Sequence, residues 1–353
     1  MKNYKIAVIP GDGIGKEVVP EGIRAMEAAG RQFGFSFAWQ TFDWSCEIYL
    51  RTGRMMPADG LEQLRPFDAI FLGAVGHPKV PDHVSLWGLL IPIRREFRQY
   101  ANVRPVRLFA GIEPAVKNFS PGQIDFVVVR ENNEGEYSDI GGRLYSHTED
   151  EVVMQQTVFT RRGCDRIMRF AFELARTRRR HVTSATKSNG IIYTMPFWDE
   201  RFAEMAKKYT DVRTDQYFID ILTAHFVRHP DWFDVVVGSN LFGDILSDLG
   251  PAIVGSIGIA PSGNLNPERE YPSMFEPVHG SAPDIAGRGI ANPIGQIWSG
   301  AMMLRHLGET AAADSVERAI ESVLGGSGPR TPDIGGKAGT QELGEAIASQ
   351  ISR

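Results

Sequence analysis

The residues best suited to chemistry in this chain lie in the run SNLFGDILSDLG, residues 239–250. Asp244 and Asp248 stand four apart, so on a helix their carboxylates share one face, where like charges repel unless a cation sits between them. The apolar run FDVVVG just ahead reads as a strand. It places the pair at a strand's carboxyl end, the edge where open α/β sheets hold ligands. Two or three oxygen ligands, with water and substrate completing an octahedron, are the pattern of Mg2+ or Mn2+. Two aspartates on a solvated helix face are about as common, and on these residues alone both readings stand. Asp220, in QYFIDIL, is a third candidate ligand because it interrupts an otherwise apolar helix face.

Arginines form the next group. IRREFRQYANVRP (residues 93–105) supplies Arg94, Arg95, Arg98 and Arg104, and RENNEGEY (130–137) begins with Arg130. The first three fit a solvated helix face equally well. Arg104 precedes Pro105 and is therefore held extended, and Arg130 ends the apolar run DFVVV. Guanidinium forks bind carboxylates bidentately, so several at one place suit a small dianion. Lys187, in TSATKSNG, follows a strand-like run. It could serve as a desolvated base, but a lysine snorkelling from a strand end to water is the commoner case. The run EPVHGSAPDIAGRGIANP (276–293) offers backbone N–H groups at Gly280, Ser281 and Ala282 that can cradle phosphate or adenosine. Asp284 there can accept from ribose hydroxyls and would repel a 2′-phosphate.

The glycine-rich IPGDGIGKEV (9–18) resembles two nucleotide loops and completes neither. A P-loop needs glycine where Pro10 stands and a hydroxyl where Glu17 stands. A dinucleotide fingerprint needs its third glycine where Lys16 stands. A turn with φ > 0 ahead of a helix is the plainer reading.

These residues need a scaffold, and short apolar runs alternating with amphipathic stretches give an α/β one. Strands are expected at 5–10, 68–74, 125–130, 181–186 and 233–238. Helices are expected at 14–30, 92–100, 162–178, 194–208, 217–228, 241–250, 292–307 and 311–324, with a last one after the loop 326–338. EVVMQQTVFT (151–160) reads as a β-like arm leaving the sheet. The 353 residues, 42% hydrophobic and 23% charged, suffice for two domains. A net charge of −5 gives no basic surface for nucleic acid or membrane, and the cluster Arg176–Arg180 fits a solvated helix end. No run reaches membrane-span length, and MKNYKIAVIPGD lacks a signal-peptide core. Cys46 and Cys164 are expected to be free thiols in a reducing compartment, hence a cytoplasmic protein.

Taken in order, these constellations resemble the β-decarboxylating dehydrogenases, the metal-dependent family of isopropylmalate and isocitrate dehydrogenases. SNLFGDILSDLGP and FEPVHGSAPDIAG are long, specific motifs, and the resemblance spans IPGDGIGKEV to about residue 308. It implies an isopropylmalate-dehydrogenase-like two-domain α/β fold with a central mixed sheet and a non-Rossmann NAD site. A larger cofactor-side domain would comprise 1–102 and 255–353, and a smaller substrate and dimerisation domain 103–254, with an interlocking arm near 138–161. NAD would meet Glu276, His279, Gly280, Ser281, Ala282, Asp284, Asn292 and Asn189; Asp284-Ile285 replaces the Lys-Tyr of NADP-using isocitrate enzymes. Arg94, Arg104 and Arg130 would clamp the substrate's β-carboxylate. Asp244 and Asp248, with Asp220 from the other subunit of a homodimer, would hold Mg2+ or Mn2+, with K+ a possible further ion. Lys187, also from the other subunit, would take the hydroxyl proton, and Tyr137 would protonate carbon after CO2 loss.

DHVSLWGLLIPIRREFRQY, VVVRENNEGEYSDIGGR, TSATKSNG and GIAPSGNLNPER resemble the branch of the family acting on tartrate and D-malate, four-carbon hydroxy diacids. An isopropylmalate enzyme is the alternative, but its acidic residue ahead of the glycine is absent from Ser85-Leu86-Trp87-Gly88. Isocitrate enzymes present Ser and Asn where Gly88 and Leu90 stand. A catalytically inactive regulatory subunit would be expected to have lost Tyr137, Lys187 or a metal aspartate, and all are present.

Overall fold

The computed structural model describes residues 2–352, which divide into two compact units. The first comprises residues up to Gln99, Val103–Asp125 and those from Gly250 onward; the second comprises Tyr100–Asn102 and Phe126–Leu249. The segment 103–125, expected with the smaller domain, lies in the first unit, and the chain re-enters that unit at Gly250 instead of 255.

The strands are β1 (Lys2–Gly11), β2 (Phe35–Thr41), β3 (Ala69–Ala74), β4 (Ala101–Arg107), β5 (Asp125–Glu131), β6 (Gly141–Leu144), β7 (Val152–Gln155), β8 (His181–Thr186), β9 (Arg213–Phe218), β10 (Val235–Gly238), β11 (Pro261–Leu265) and β12 (Ser273–Pro277). In the first unit they run β2-β1-β3-β12-β11-β4. β1 pairs in parallel with β2 and β3, and β3 with β12, whereas β12 and β11 are antiparallel. This is the mixed α/β sheet expected. In the second unit the order is β5-β10-β8-β9, parallel throughout. The apolar runs read as strands are β1, β3, β5, β8 and β10. Every residue of β3 and β8 is buried, as continuous apolar runs covered on both faces require. Phe126, Phe226 and Phe233 stack edge-on in the core of the second unit. Ile9, Leu72, Phe97 and Met274 centre that of the first.

Several boundaries moved. The helix expected at 92–100 is three consecutive helical segments: Asp82–Ser85, a π-helical Leu86–Leu90, and Ile91–Glu96. The stretch expected as helix from 217 is β9 until Phe218, and the helix is Ile219–Arg228. Of the stretch 151–160, Val152–Gln155 is β7, which pairs antiparallel with β6 (Gly141–Leu144), with Leu144, Val153 and Met154 exposed. Arg176–Arg180 is in part a clasp instead of a solvated end. Buried Asp234 accepts from Arg178 Nε at 2.8 Å and from the backbone N–H of Arg179 at 2.9 Å and His181 at 3.3 Å. Cys46 and Cys164 are buried free thiols, each pushed up to about 12 by burial. Among the described residues no helix is long and apolar enough to cross a membrane.

Candidate active site

In the second unit, β5 and β10 lie side by side with Arg130 paired to Gly238, so both strands deliver their chains to one edge. β5 continues into the loop 131–137, and β10 into the helix Asn240–Ile253. The loop is stitched to that helix. Glu136 accepts from Ser239 Oγ at 2.7 Å and from the Leu241 N–H at 3.0 Å, satisfying the first turn as a capping carboxylate does. A Cβ at Gly243 would stand 2.5 Å from Arg130 Cβ, so the glycine of LFGD is what lets the helix approach the strand end.

That approach brings three expected site residues together. The Arg130 guanidinium, 3% exposed, donates from Nη1 to Asp244 Oδ1 in a short ion pair. Tyr137 donates its hydroxyl to Asp244 Oδ2 at 2.7 Å and lies under the Arg130 guanidinium at 5.3 Å. Burial first, then the neighbouring Asp244 carboxylate, raises the Tyr137 phenol above its usual range. It therefore keeps its proton through neutral pH and can act as a donor. Asp248 sits one turn further along the same helix, exposed, so the i, i+4 pair shares the helix face as its spacing requires.

Lys187 directly follows buried β8 and bonds Asp220 Oδ1 at 2.8 Å, at the start of the helix Ile219–Arg228. That bond holds the Asp220 carboxyl below its ordinary range. Within one chain, Asp220 therefore meets Lys187. Among the described residues no three His, Cys, Asp or Glu side chains gather as a metal site. Asn189, two residues on, is exposed.

In the first unit, the glycine-rich turn proves to be a clasp for two loops. Asp12, 1% exposed, accepts from the backbone N–H of Cys46 (3.0 Å), Glu47 (3.3 Å) and Gly76 (3.1 Å). Gly13 has φ 53°, and a Cβ there would lie 2.0 Å from Ser281 O. The Ile14 N–H donates to that same oxygen at 2.9 Å. Glu17 accepts from the N–H groups of Gly287 and Gly289 at 2.6 and 2.9 Å. The motif thus fixes the 280–289 loop through its own acceptors and close-packed glycines.

Beside it, residues 75–82 and Gly280, Ser281 and Pro283 line an open cleft of ≈ 670 Å³. Ala282 holds a left-handed φ of 41°, a strained conformation of the kind that clusters at binding loops. His279 donates or accepts through Nδ1 at Gly280 O (3.0 Å), its Nε2 is buried with no partner, and burial lowers its basicity. Asp284 is exposed. Asn292 is buried, its amide bonded to Asp333 at 3.0 Å. Glu276 lies in β12, not in the loop, and accepts from Arg94 Nη2 and Asn264 Nδ2, both at 2.7 Å. Arg104 is buried on β4. Arg95, expected on a solvated face, stacks over Trp87 at 4.8 Å in the π-helical turn.

Sequence reasoning missed Asp12, Glu17, Glu136 and Asn240. All four lie inside motifs already singled out, but their partners are backbone or side-chain groups 30 to 270 residues away, which no local pattern reports.

The chain belongs to the isocitrate/isopropylmalate dehydrogenase family, whose model matches residues 5–347. It is 59% identical to the D-malate dehydrogenase [decarboxylating] of Escherichia coli (strain K12), covering all of both chains. It is 58% identical to the tartrate dehydrogenase/decarboxylase of Pseudomonas putida, over 99% of this chain and 98% of that one. Among solved structures, isocitrate dehydrogenase from Methylococcus capsulatus matches at a TM-score of 0.90 and 36% identity, over 99% of this chain and all of the other.

Proposed function

We propose that this chain oxidises a four-carbon 2-hydroxy diacid, D-malate or tartrate, with NAD and Mg2+ or Mn2+, and releases CO2 from the 2-oxo product of D-malate to leave pyruvate. The observation that carries the reading is the convergence of Arg130, Asp244 and Tyr137 at the carboxyl edge of β5 and β10. The names of the relatives at 58–59% identity favour the same substrates.

The donor set fits a hard divalent cation, since Asp244, Asp248 and Asp220 offer only carboxylate oxygens. The cleft at 75–82 and 280–283, the unpartnered His279 nitrogen and the exposed Asp284 carboxylate fit a dinucleotide lacking a 2′-phosphate. When bound, the cation supplies Lewis-acid polarisation of the 2-hydroxyl and the nicotinamide accepts the hydride. The chain's own residues do the rest. Arg94, Arg104 and Arg130 bind the β-carboxylate, Lys187 takes the hydroxyl proton, and Tyr137, protonated at neutral pH, returns a proton to the carbon that loses CO2. Asn189, Glu276, Gly280, Ser281, Ala282 and Asn292 complete the cofactor contacts.

We infer a homodimer in which each site uses the partner's Asp220 and the partner's Lys187. Within one chain that pair is bonded to itself, apart from any three-ligand cluster. Ile221, Val227 and Ile245 on its helices and Val153 on the hairpin are exposed apolar groups that an association would cover. Two buried, unbridged thiols suit a reducing, cytoplasmic location. The test is kcat/KM with Mn2+ and K+ for D-malate, L-tartrate, meso-tartrate, 3-isopropylmalate and isocitrate, each with NAD and NADP. A four-carbon diacid with NAD should lead; 3-isopropylmalate in first place would overturn the substrate assignment.

A further inference from the structure

We infer that Asn240 is a positioning residue for substrate recognition: a neutral acceptor that anchors one edge of Arg130 without adding a second negative charge beside Asp244. Asn240 is 3% exposed at the head of the helix Asn240–Ile253. Its Oδ1 accepts from both Arg130 Nε at 3.1 Å and Arg130 Nη2 at 2.6 Å. Its Nδ2 donates to Glu134 O at 3.2 Å, which fixes the amide's orientation and ties it to the loop leading to Tyr137. The Nε–Nη2 edge of the guanidinium is thereby committed, and Nη1 is the group that meets Asp244.

Chemistry explains the amide. A guanidinium at 3% exposure needs acceptors for its inner edge, because buried donors left unmade are costly. A carboxylate would satisfy them more strongly but would set a second anion on a cation that already meets Asp244, opposing the approach of a substrate carboxylate. An aliphatic residue would leave the Nε–Nη2 edge without its acceptor. An amide oxygen holds that edge and adds no charge. The same residue reaches the loop backbone with its other end, so the aim of Arg130 and the placement of the Tyr137 loop are set by one side chain.

This rests on the substrate reading above, and it can fail while that reading stands. The experiment compares wild type, Asn240→Ala and Asn240→Asp for D-malate KM, kcat, NAD KM and melting temperature. Both variants should raise D-malate KM roughly 10- to 100-fold, the range of hydrogen bonds to a charged group. kcat should fall far less, and NAD KM should hold. Asn240→Asp keeps the acceptor for Arg130 but loses the Nδ2 donation to Glu134 O, so it should hold Arg130 in place yet not restore KM. A merely structural role predicts the opposite: a lower melting temperature in Asn240→Ala, proportionate losses in all constants, and rescue by Asn240→Asp. Wild-type KM in Asn240→Asp would overturn the inference even if Asn240→Ala fails to fold. A wild-type enzyme inactive on every hydroxy diacid would overturn the substrate reading and this inference together.

Discussion

At the scale of single residues, the site turns on what surrounds each titratable group. Tyr137 could donate a proton to carbon, or its hydroxyl could merely orient Asp244, to which it is bonded at 2.7 Å. Tyr137→Phe separates these, because the ring and its packing remain. General acid catalysis contributes roughly 10²–10⁴-fold to the step it serves, so CO2-coupled turnover of D-malate should fall by that order. NADH formation from L-tartrate should fall much less if the oxo acid leaves without decarboxylation. Equal fractional losses for both substrates would reduce the tyrosine to an orienting role. With the phenol raised above its usual range, no loss of activity below about pH 10 should trace to its ionisation.

Secondary-structure elements hold these groups in place, and here a buried carboxylate is informative. Glu131 ends β5, is 1% exposed, and accepts through Oε1 from the N–H groups of Asn133 and Glu134 at 2.8 and 3.0 Å. Burial pushes its carboxyl up to about 7, against the pull of Arg166, which lies 3.4 Å away. A raised carboxyl is uncharged in the fold at low pH and must ionise there as pH rises, so stability is lost between about pH 4.5 and 7. Glu131→Gln avoids that ionisation. Its unfolding free energy relative to wild type should climb across this window and flatten above it, by an amount on the order of 3 kcal/mol at most. A constant difference from pH 5 to 8 would show that Glu131 does not titrate there.

The same elements show what the sequence made legible. β3, β5 and β10 are centred on buried apolar runs and could be read directly, whereas β8, HVTSAT, is buried throughout but mostly polar. β9, RTDQYF, sits at a sheet edge with none of its residues buried, and β12, SMFEP, is short and ends in proline, so neither carries a strand pattern. The π-helical turn at Leu86–Leu90 has no periodicity that marks it. The i, i+4 spacing of Asp244 and Asp248 singles them out, but alone it fits a metal pair and a solvated helix face equally. The partners of Asp12 and Asn240 were not legible, because tertiary approach decides them.

For the whole molecule, the proposed site draws on two chains, which mixed dimers test. Lys187→Ala and Asp244→Asn should each be nearly inactive alone. In a mixed dimer both lesions fall in one site and the twin is intact, so co-expression should recover about half the activity per mixed dimer if the residues come from opposite chains. Pairing Lys187→Ala with Asp220→Asn should recover nothing, since those two are bonded within one chain and each mixed site keeps a lesion. Recovery in the second pairing but not the first would invert the assignment. The proposed reaction itself can be followed directly. The direct measurement follows NADH and CO2 together as purified protein acts on D-malate with NAD, Mn2+ and K+. One CO2 should appear for each NADH, with pyruvate as the product, and none of the three should form when the cation is chelated. NADH without CO2, or no NADH from any four-carbon hydroxy diacid, would contradict it.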